Sequence, residues 1–253
     1  MLTEKRHQAI LEALEKQNIV QMQELVNKLG VSESTIRRDL SILEDEGQLT
    51  RVHGGAKRNF MIEAEPNVQE KSVRFAHDKK AIAKQAASLV EDGDVIYIDA
   101  GTTTLAMIPY LVGKKLTVVT NGIQHAALLS ELGIDPILIG GKLKAGTQAI
   151  IGATAVKQLH NYRFRKAFLG MNGVDLHMGF TTPDEEEATM KETAVELSSQ
   201  SYILIDASKF SKVSFCQVAS LKDATIITYQ LDSSKETRYQ IETALINIKE
   251  EEA

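Results

Sequence analysis

Ser32-Glu33-Ser34-Thr35-Ile36-Arg37-Arg38-Asp39-Leu40 builds a short helix with one apolar and one basic face. Ser32 is a good N-cap, because its hydroxyl can accept a free helix N–H. Ile36, Leu40 and Leu43 stand four and three residues apart, which is one face of a helix. Gly47 ends it. The opposite face carries Ser34, Thr35, Arg37 and Arg38 near the helix start, and Asp39 is close enough in sequence to orient one of the arginines. Upstream, 22–29 repeats the helical pattern with Met22, Leu25, Val26 and Leu29. Gly30 then stops that helix by taking the left-handed conformation at low cost. A further helix over 4–16 places Ala9, Ile10, Ala13 and Leu14 near helical spacing, and Leu11 widens its face. Two short helices joined by Leu29-Gly30-Val31-Ser32 have the form of a helix-turn-helix. In that motif the start of the second helix enters the DNA major groove, where hydroxyls and guanidinium forks meet phosphates and base edges.

Downstream, Leu49 and Val52 are expected to pack while Arg51, His53 and Lys57 stay exposed, and Gly54-Gly55 marks a tight turn. This predicts a hairpin wing that touches the phosphate backbone. The expected DNA contacts are Ser32, Ser34, Thr35, Arg37 and Arg38 from the helix, with Arg51, His53 and Lys57 from the wing. Helical periodicity alone would equally suit a three-helix interaction domain.

The whole chain has 253 residues and a net charge of −5. Residues 1–58 are neutral, with 9 Lys+Arg against 9 Asp+Glu, so the remainder carries all the excess acid. Arg37, Arg38, Arg51, Lys57 and Arg58 then form a local basic face, which matters more for DNA than the total. A 43% hydrophobic composition suits a buried core, and no apolar run is long enough to span a membrane. The first residues lack the apolar core of a secretory signal. Cys216 is the only cysteine, which excludes an intrachain disulfide and fits a cytoplasmic location. It is expected to pack rather than react. The six histidines show no metal-ligand spacing, so no metal or cofactor is expected. His53 has a DNA role in this reading, and His7, His77, His125, His160 and His177 are expected at the surface or at helix caps.

Residues 59–70 read as a linker between a domain over 1–58 and a second over 71–253. A long helix is expected over about 70–90, ending at Gly93. Short apolar runs then alternate with helical stretches. The strands are Val95-Ile96-Tyr97-Ile98, Leu116-Thr117-Val118-Val119, Ile137-Leu138-Ile139, Ala167-Phe168-Leu169, Tyr202-Ile203-Leu204-Ile205 and Thr225-Ile226-Ile227-Thr228. The helices are near 103–112, 123–132, 153–159 and 184–199. The 232–253 tail is expected to pack as a last helix or strand. This alternation predicts an α/β domain with a mostly parallel sheet, which binds ligands beyond the carboxyl ends of its strands. There the sequence places Asp99-Ala100-Gly101-Thr102-Thr103-Thr104, suited to a phosphate or, more plainly, to a capped turn. It also places Asn121, the Gly140-Gly141 pair, Gly170, Asn172, Asp175, Asp206 and Lys209. Amides and carboxylates can fix sugar hydroxyls, and lysine can neutralise phosphate.

The 32–40 stretch with Leu43 and Glu44, and Arg51-Val52-His53-Gly54-Gly55-Ala56, resemble the DNA-binding domain of the DeoR family of bacterial regulators. Residues 70–250 resemble that family's sensor domain, which implies a fold like ribose-5-phosphate isomerase, glucosamine-6-phosphate deaminase and the CoA-transferases. The resemblance implies that Gly101, Thr102 and Thr103 cradle a phosphate while Asp99, Asn121, Asp175, Lys191 and Lys209 surround a sugar. Residues 179–191 look like the family's helix carrying Glu186 or Glu187, with Lys191, into the pocket. The acidic run can also cap that helix through its dipole. Glu33-Ser34-Thr35-Ile36-Arg37-Arg38-Asp39-Leu40-Ser41, Asp99-Ala100-Gly101-Thr102-Thr103-Thr104, Tyr162-Arg163-Phe164 and Gly179-Phe180-Thr181-Thr182-Pro183-Asp184 are similar to the fructose-operon branch of the family. They imply fructose 1-phosphate as effector, with the lactose and tagatose 6-phosphate branch as the alternative.

The resemblance implies a repressor of double-stranded operator DNA, released by a sugar phosphate. Symmetric operators imply a homodimer or tetramer. The rival reading is a sugar-phosphate isomerase or deaminase, because Asp175, Glu187 and Lys191 could move protons. Against it stand the DNA-reading segment and the lack of a separate general-base motif. Nothing in the residues fixes the sign of regulation.

Overall fold

The computed structural model describes residues 2–59 and 68–250; most of the expected linker, 60–67, lies outside the described residues. The chain divides into two compact units, Met1–Met61 and Ile62–Ala253.

In the first unit, helix α1 (Thr3–Gln17) leads through strand β1 (Ile19–Gln21) into α2 (Met22–Leu29) and α3 (Glu33–Asp45), followed by β2 (Leu49–Val52) and β3 (Gly55–Arg58). Ile10, Leu14, Leu25, Ile36, Leu40, Leu43 and Leu49 bury together as one small core. Gly30 ends α2 at φ 64, and the Ser32 hydroxyl accepts the Thr35 N–H to begin α3. The expected wing is a three-stranded antiparallel sheet in the order β1-β3-β2, because β1 pairs with β3. A three-residue strand offers too little alternation to be visible in sequence. It does explain Gly55: a Cβ there would sit 2.0 Å from the Val20 carbonyl oxygen. Two expectations for this unit fail. Val52 is exposed rather than packed, while Ala56 fills the core. On α1, Ala9 is only half-buried and Arg6 takes the inward position, for an electrostatic reason given below.

The second unit opens with α4 (Val68–Val73) and α5 (Ala76–Ser88). The single helix expected over 70–90 is thus broken, because Phe75 adopts the left-handed conformation at φ 55. There follow β4 (Val95–Ile98), α6 (Thr102–Leu105), β5 (Thr117–Thr120), α7 (Ile123–Glu131) and β6 (Pro136–Leu138). The helix expected over 103–112 is one α-turn followed by a separate 3₁₀ turn over Ile108–Leu111; Pro109, within that turn, has no N–H to continue an α-helix. Next come β7 (Lys142–Lys144), β8 (Ala149–Ile151), α8 (Ala153–Leu159), β9 (Phe164–Leu169), β10 (Gly173–Asp175), β11 (Gly179–Thr182) and α9 (Glu185–Glu196). The last elements are β12 (Ser198–Leu204), β13 (Cys216–Ala219), β14 (Thr225–Tyr229), α10 (Ser233–Gln240) and β15 (Leu245–Ile248).

Seven strands form one parallel sheet in the order β15-β14-β12-β9-β4-β5-β6. Period-two alternation divides its side chains between two cores. Ile96, Ile98, Phe168, Leu204 and Ile227 face one layer with residues of α5 and α7, while Tyr97, Ala167, Leu169, Ile203 and Ile226 face the other with α8 and α9. Chain order runs outward from β4 through β5 to β6 on one side, and from β9 through β12 to β15 on the other. The direction of winding therefore reverses between β4 and β9, where parallel sheets leave a crevice at their carboxyl ends. Two small antiparallel groups, β7-β8 and β10-β11-β13, stand outside this sheet.

Candidate functional site

On the first unit, α3 buries Ile36, Asp39, Leu40 and Leu43, which leaves Ser34, Arg37 and Arg38 exposed. Ser32, Ser34 and Thr35 form one hydroxyl cluster at the helix start, with Ser32 Oγ 2.9 Å from Ser34 Oγ and 2.8 Å from Thr35 Oγ1. Arg37 donates to Glu33 at 2.6 Å, one turn back. The Arg38 guanidinium has no partner among the described residues. Arg51 is drawn onto α3: its backbone N–H donates to Glu44 at 2.8 Å and its guanidinium to Ser41 at 3.2 Å. His53 and Lys57 are exposed on the wing.

Asp39 does not orient Arg37 or Arg38. It points inward and receives Arg6 through two bonds, of 2.7 and 2.9 Å, with His7 Nε2 at 3.1 Å. Burial alone would raise the Asp39 carboxyl; the bonds from Arg6 and His7 overcome this and hold it below its ordinary value. This network fastens α1 to the helix that presents the basic face. It joins residues about thirty apart and leaves no local signal in the sequence.

On the second unit, the crevice between β4 and β9 has a charged pair at its base. Lys191 of α9 donates to Asp99 Oδ2 and, at 2.9 Å, to the Gly170 carbonyl; the Gly170 N–H donates back to Asp99 at 3.2 Å. Asp99 and Lys191 are both buried. Beside them Gly101 leads into α6, whose three threonines have different roles. Thr104 is fully buried, and its hydroxyl contacts the Asp99 and Gly101 carbonyls and the Gly101 N–H. The Thr102 and Thr103 hydroxyls have no partner among the described residues. The small cleft at this corner is lined by Gly101 and Thr102 together with Gln124, Thr147 and Gln148.

His125 also lines the cleft, contrary to the expectation of a surface or cap position. It is buried, and its Nε2 lies 3.1 Å from both the Gly101 carbonyl and Thr104 Oγ1. A carbonyl only accepts, so Nε2 carries the proton. Burial pushes the imidazole down to about 4, so it is neutral and holds the loop in shape. Its position four residues past Asn121, in the first turn of α7, was the available signal.

The other expected effector residues divide by role. Asn121 cross-links strand ends, accepting the Ala100 N–H at 3.0 Å and donating to the Ile150 carbonyl at 3.1 Å. Asn172 accepts the Thr182 hydroxyl at 3.1 Å. Glu187 accepts Thr147 at 2.6 Å and pairs with Lys144 at 3.1 Å. Glu186 instead pairs with Lys142 at 2.9 Å. Asp184 accepts the Glu187 N–H as the N-cap, so the acidic run does cap α9. The Gly140 N–H donates to Gln158 at 2.7 Å, and a Cβ on Gly141 would meet the Ile151 carbonyl at 2.9 Å, so this pair packs under the β7-β8 hairpin. Asp175 closes the β10-β11 turn through the His177 and Met178 N–H groups. Asp206 caps a short helical turn and, with Lys209, acts electrostatically on Lys79 at the start of α5. Burial lowers the Lys79 ammonium, and Lys209 and Lys71 add to this while Asp206 opposes it.

Cys216 is half-buried beside Asp184 and Glu185; burial first, then these carboxylates, push its thiol up, which makes it a poor nucleophile. Among the described residues no helix is long and apolar enough to cross a membrane.

Residues 6–60 match the model of the DeoR-like helix-turn-helix domain, and residues 74–230 match the DeoR C terminal sensor domain. The chain is 48% identical to an uncharacterized HTH-type transcriptional regulator, FruR, of Bacillus subtilis, over 98% of this chain and 100% of that protein. It is 34% identical to the lactose phosphotransferase system repressor of Staphylococcus epidermidis, over 91% of this chain and 94% of that one. Ribose 5-phosphate isomerase A of Methanocaldococcus jannaschii overlays on 53% of this chain and 54% of its own with a TM-score of 0.40 and 20% identity. The rival reading as an enzyme is set aside by the two family matches, and the chain belongs to the DeoR family of DNA-binding transcriptional regulators.

Proposed function

We propose that this regulator represses a sugar-utilisation operon and leaves its operator when a sugar phosphate, fructose 1-phosphate, occupies the crevice between β4 and β9. One observation carries the reading. At the point where the sheet reverses its winding, the Thr102 and Thr103 hydroxyls stand without partners beside a buried Asp99–Lys191 pair. Hydroxyls and N–H groups at a helix start suit a phosphate, while the carboxylate and ammonium suit sugar hydroxyls and charge neutralisation. The fructose assignment draws its support from the 48% identity to FruR, and repression from the relatives named as repressors.

Operator DNA would be held by the hydroxyl cluster and arginines of α3, with His53, Lys57 and Arg51 on the wing. A two-fold operator calls for two or four copies of the chain, one per half-site. Effector releases the protein only if it binds the DNA-incompetent arrangement more tightly.

Fluorescence anisotropy on promoter DNA tests this, with fructose 1-phosphate, fructose 6-phosphate, fructose 1,6-bisphosphate and tagatose 6-phosphate titrated in turn. Release by fructose 1-phosphate alone is the expected outcome. Release by tagatose 6-phosphate instead would move the protein to the lactose-type branch, and release by none would overturn the sensor assignment.

A further inference from the structure

Part of the lining of the cleft that Gly101 and Thr102 share comes from outside the main sheet. It consists of Gln124, in the first turn of α7, and Thr147 and Gln148, in the turn that joins β7 to β8. The Gln148 backbone is fully engaged: its N–H donates to the Lys144 carbonyl at 2.8 Å, and its carbonyl accepts the Ile123 N–H at 3.3 Å. The side chains of Gln124 and Gln148 are exposed, and neither carboxamide has a hydrogen-bond partner among the described residues. Thr147 is different. It is buried, and its hydroxyl donates to Glu187, which also receives Lys144; Lys144 reaches Asp184 at 3.1 Å as well. The turn is thereby fastened to α9, the helix that delivers Lys191 to Asp99.

We infer that this part of the lining selects among sugar phosphates. Gln124 and Gln148 read the hydroxyl pattern beyond the phosphate, and Thr147 is the positioning residue that fixes their distance from the phosphate loop. The inference rests on the sugar-phosphate reading above. A carboxamide offers two donors and an acceptor, so it distinguishes hydroxyls by where they point. Being neutral, it adds little to the binding of a bare phosphate. Hydroxyl and backbone N–H groups of the Gly101–Thr102 loop hold any phosphate, whichever sugar it carries. Recognition of the common group and discrimination of the variable one thus fall to different parts of the lining.

The test is calorimetric titration of the full-length protein with inorganic phosphate, fructose 1-phosphate and tagatose 6-phosphate, comparing wild type with Gln148→Gly and Gln124→Ala. Glycine is the clean truncation at 148, where φ is 53. Each variant should weaken the preferred sugar phosphate by about 3- to 10-fold, the worth of one neutral hydrogen bond, and bring the two sugar phosphates closer in affinity. Binding of inorganic phosphate should be unchanged. Thr147→Val should narrow the same ratio, and Thr147→Ser should restore it, an outcome that packing alone would not produce. Unchanged selectivity in both glutamine variants, or an equal loss for phosphate and sugar phosphates, overturns the inference. A wild type that binds none of the three ligands overturns the underlying reading, and this inference falls with it.

Discussion

Among the three threonines of α6, the same side chain serves two purposes. Thr104 satisfies backbone groups of its own loop, while Thr102 lines the cleft. Thr102→Val should therefore fold normally yet stay on operator DNA at effector concentrations that release wild type. Thr104→Val should instead lower stability by about 1–3 kcal/mol, because it strands a buried N–H and carbonyls. Paired thermal melts and release assays check this, and a Thr102→Val protein that releases normally would defeat the phosphate-loop assignment. Asp39 supports a prediction of a different kind. Its folded value lies below that of the unfolded chain, so its contribution is present above about pH 4 and lost as pH falls through the folded value. Asp39→Ala removes the shared partner of Arg6 and His7 and should lower stability. Denaturant midpoints between pH 3 and 7 should fall with acid in wild type and much less in Asp39→Asn; parallel curves would refute the role.

At the scale of elements, the recognition helix presents two arginines in unequal states. Arg37 is tied to Glu33, while Arg38 is not tied to any described residue. Arg38→Ala should weaken operator binding by about 1–3 kcal/mol, and Arg37→Ala by less, with effector affinity unchanged in both. Equal losses in DNA and effector binding would indicate misfolding instead. The elements themselves were legible where a repeating pattern had room to show. The third helix emerges from Ile36, Leu40 and Leu43, and the strands of the main sheet from β-branched runs. What stayed hidden was short or distant. β1, β7, β8 and β10 have three residues each, too few for alternation to show. The break at Phe75 depends on a backbone angle that no Gly or Pro announces. Asp39 was read as a neighbour of Arg37 and Arg38 because its true partner, Arg6, is remote in sequence. Around the cleft, Asp99, Gly101, Thr102 and Gly170 were legible from the rule that strand ends bind ligands, while Lys191 came from the family resemblance alone. Gln124, Thr147 and Gln148 belong to a helix start and a hairpin turn, which that rule does not cover.

For the whole molecule, the useful quantity is the coupling between sites. A tenfold loss of operator affinity requires about 1.4 kcal/mol of differential effector binding between the two arrangements. Linkage is reciprocal, so operator DNA should weaken effector binding by the same factor. Titrating effector with and without DNA checks this, and an effector affinity that DNA leaves unchanged would rule out release by the effector. The salt dependence of operator binding should be set by the number of phosphates that the local basic face of the first unit contacts, and not by the acid excess of the second.

His125 gives the sensor an unexpected immunity. Its imidazole sits near 4, so the loop it braces keeps one shape across the range of acidity in which cells live. The second proton of a phosphate ester comes off near pH 6, well above that. A bend in the release curve between pH 5 and 8 would therefore not come from this brace, whereas the messenger's own phosphate does change charge there.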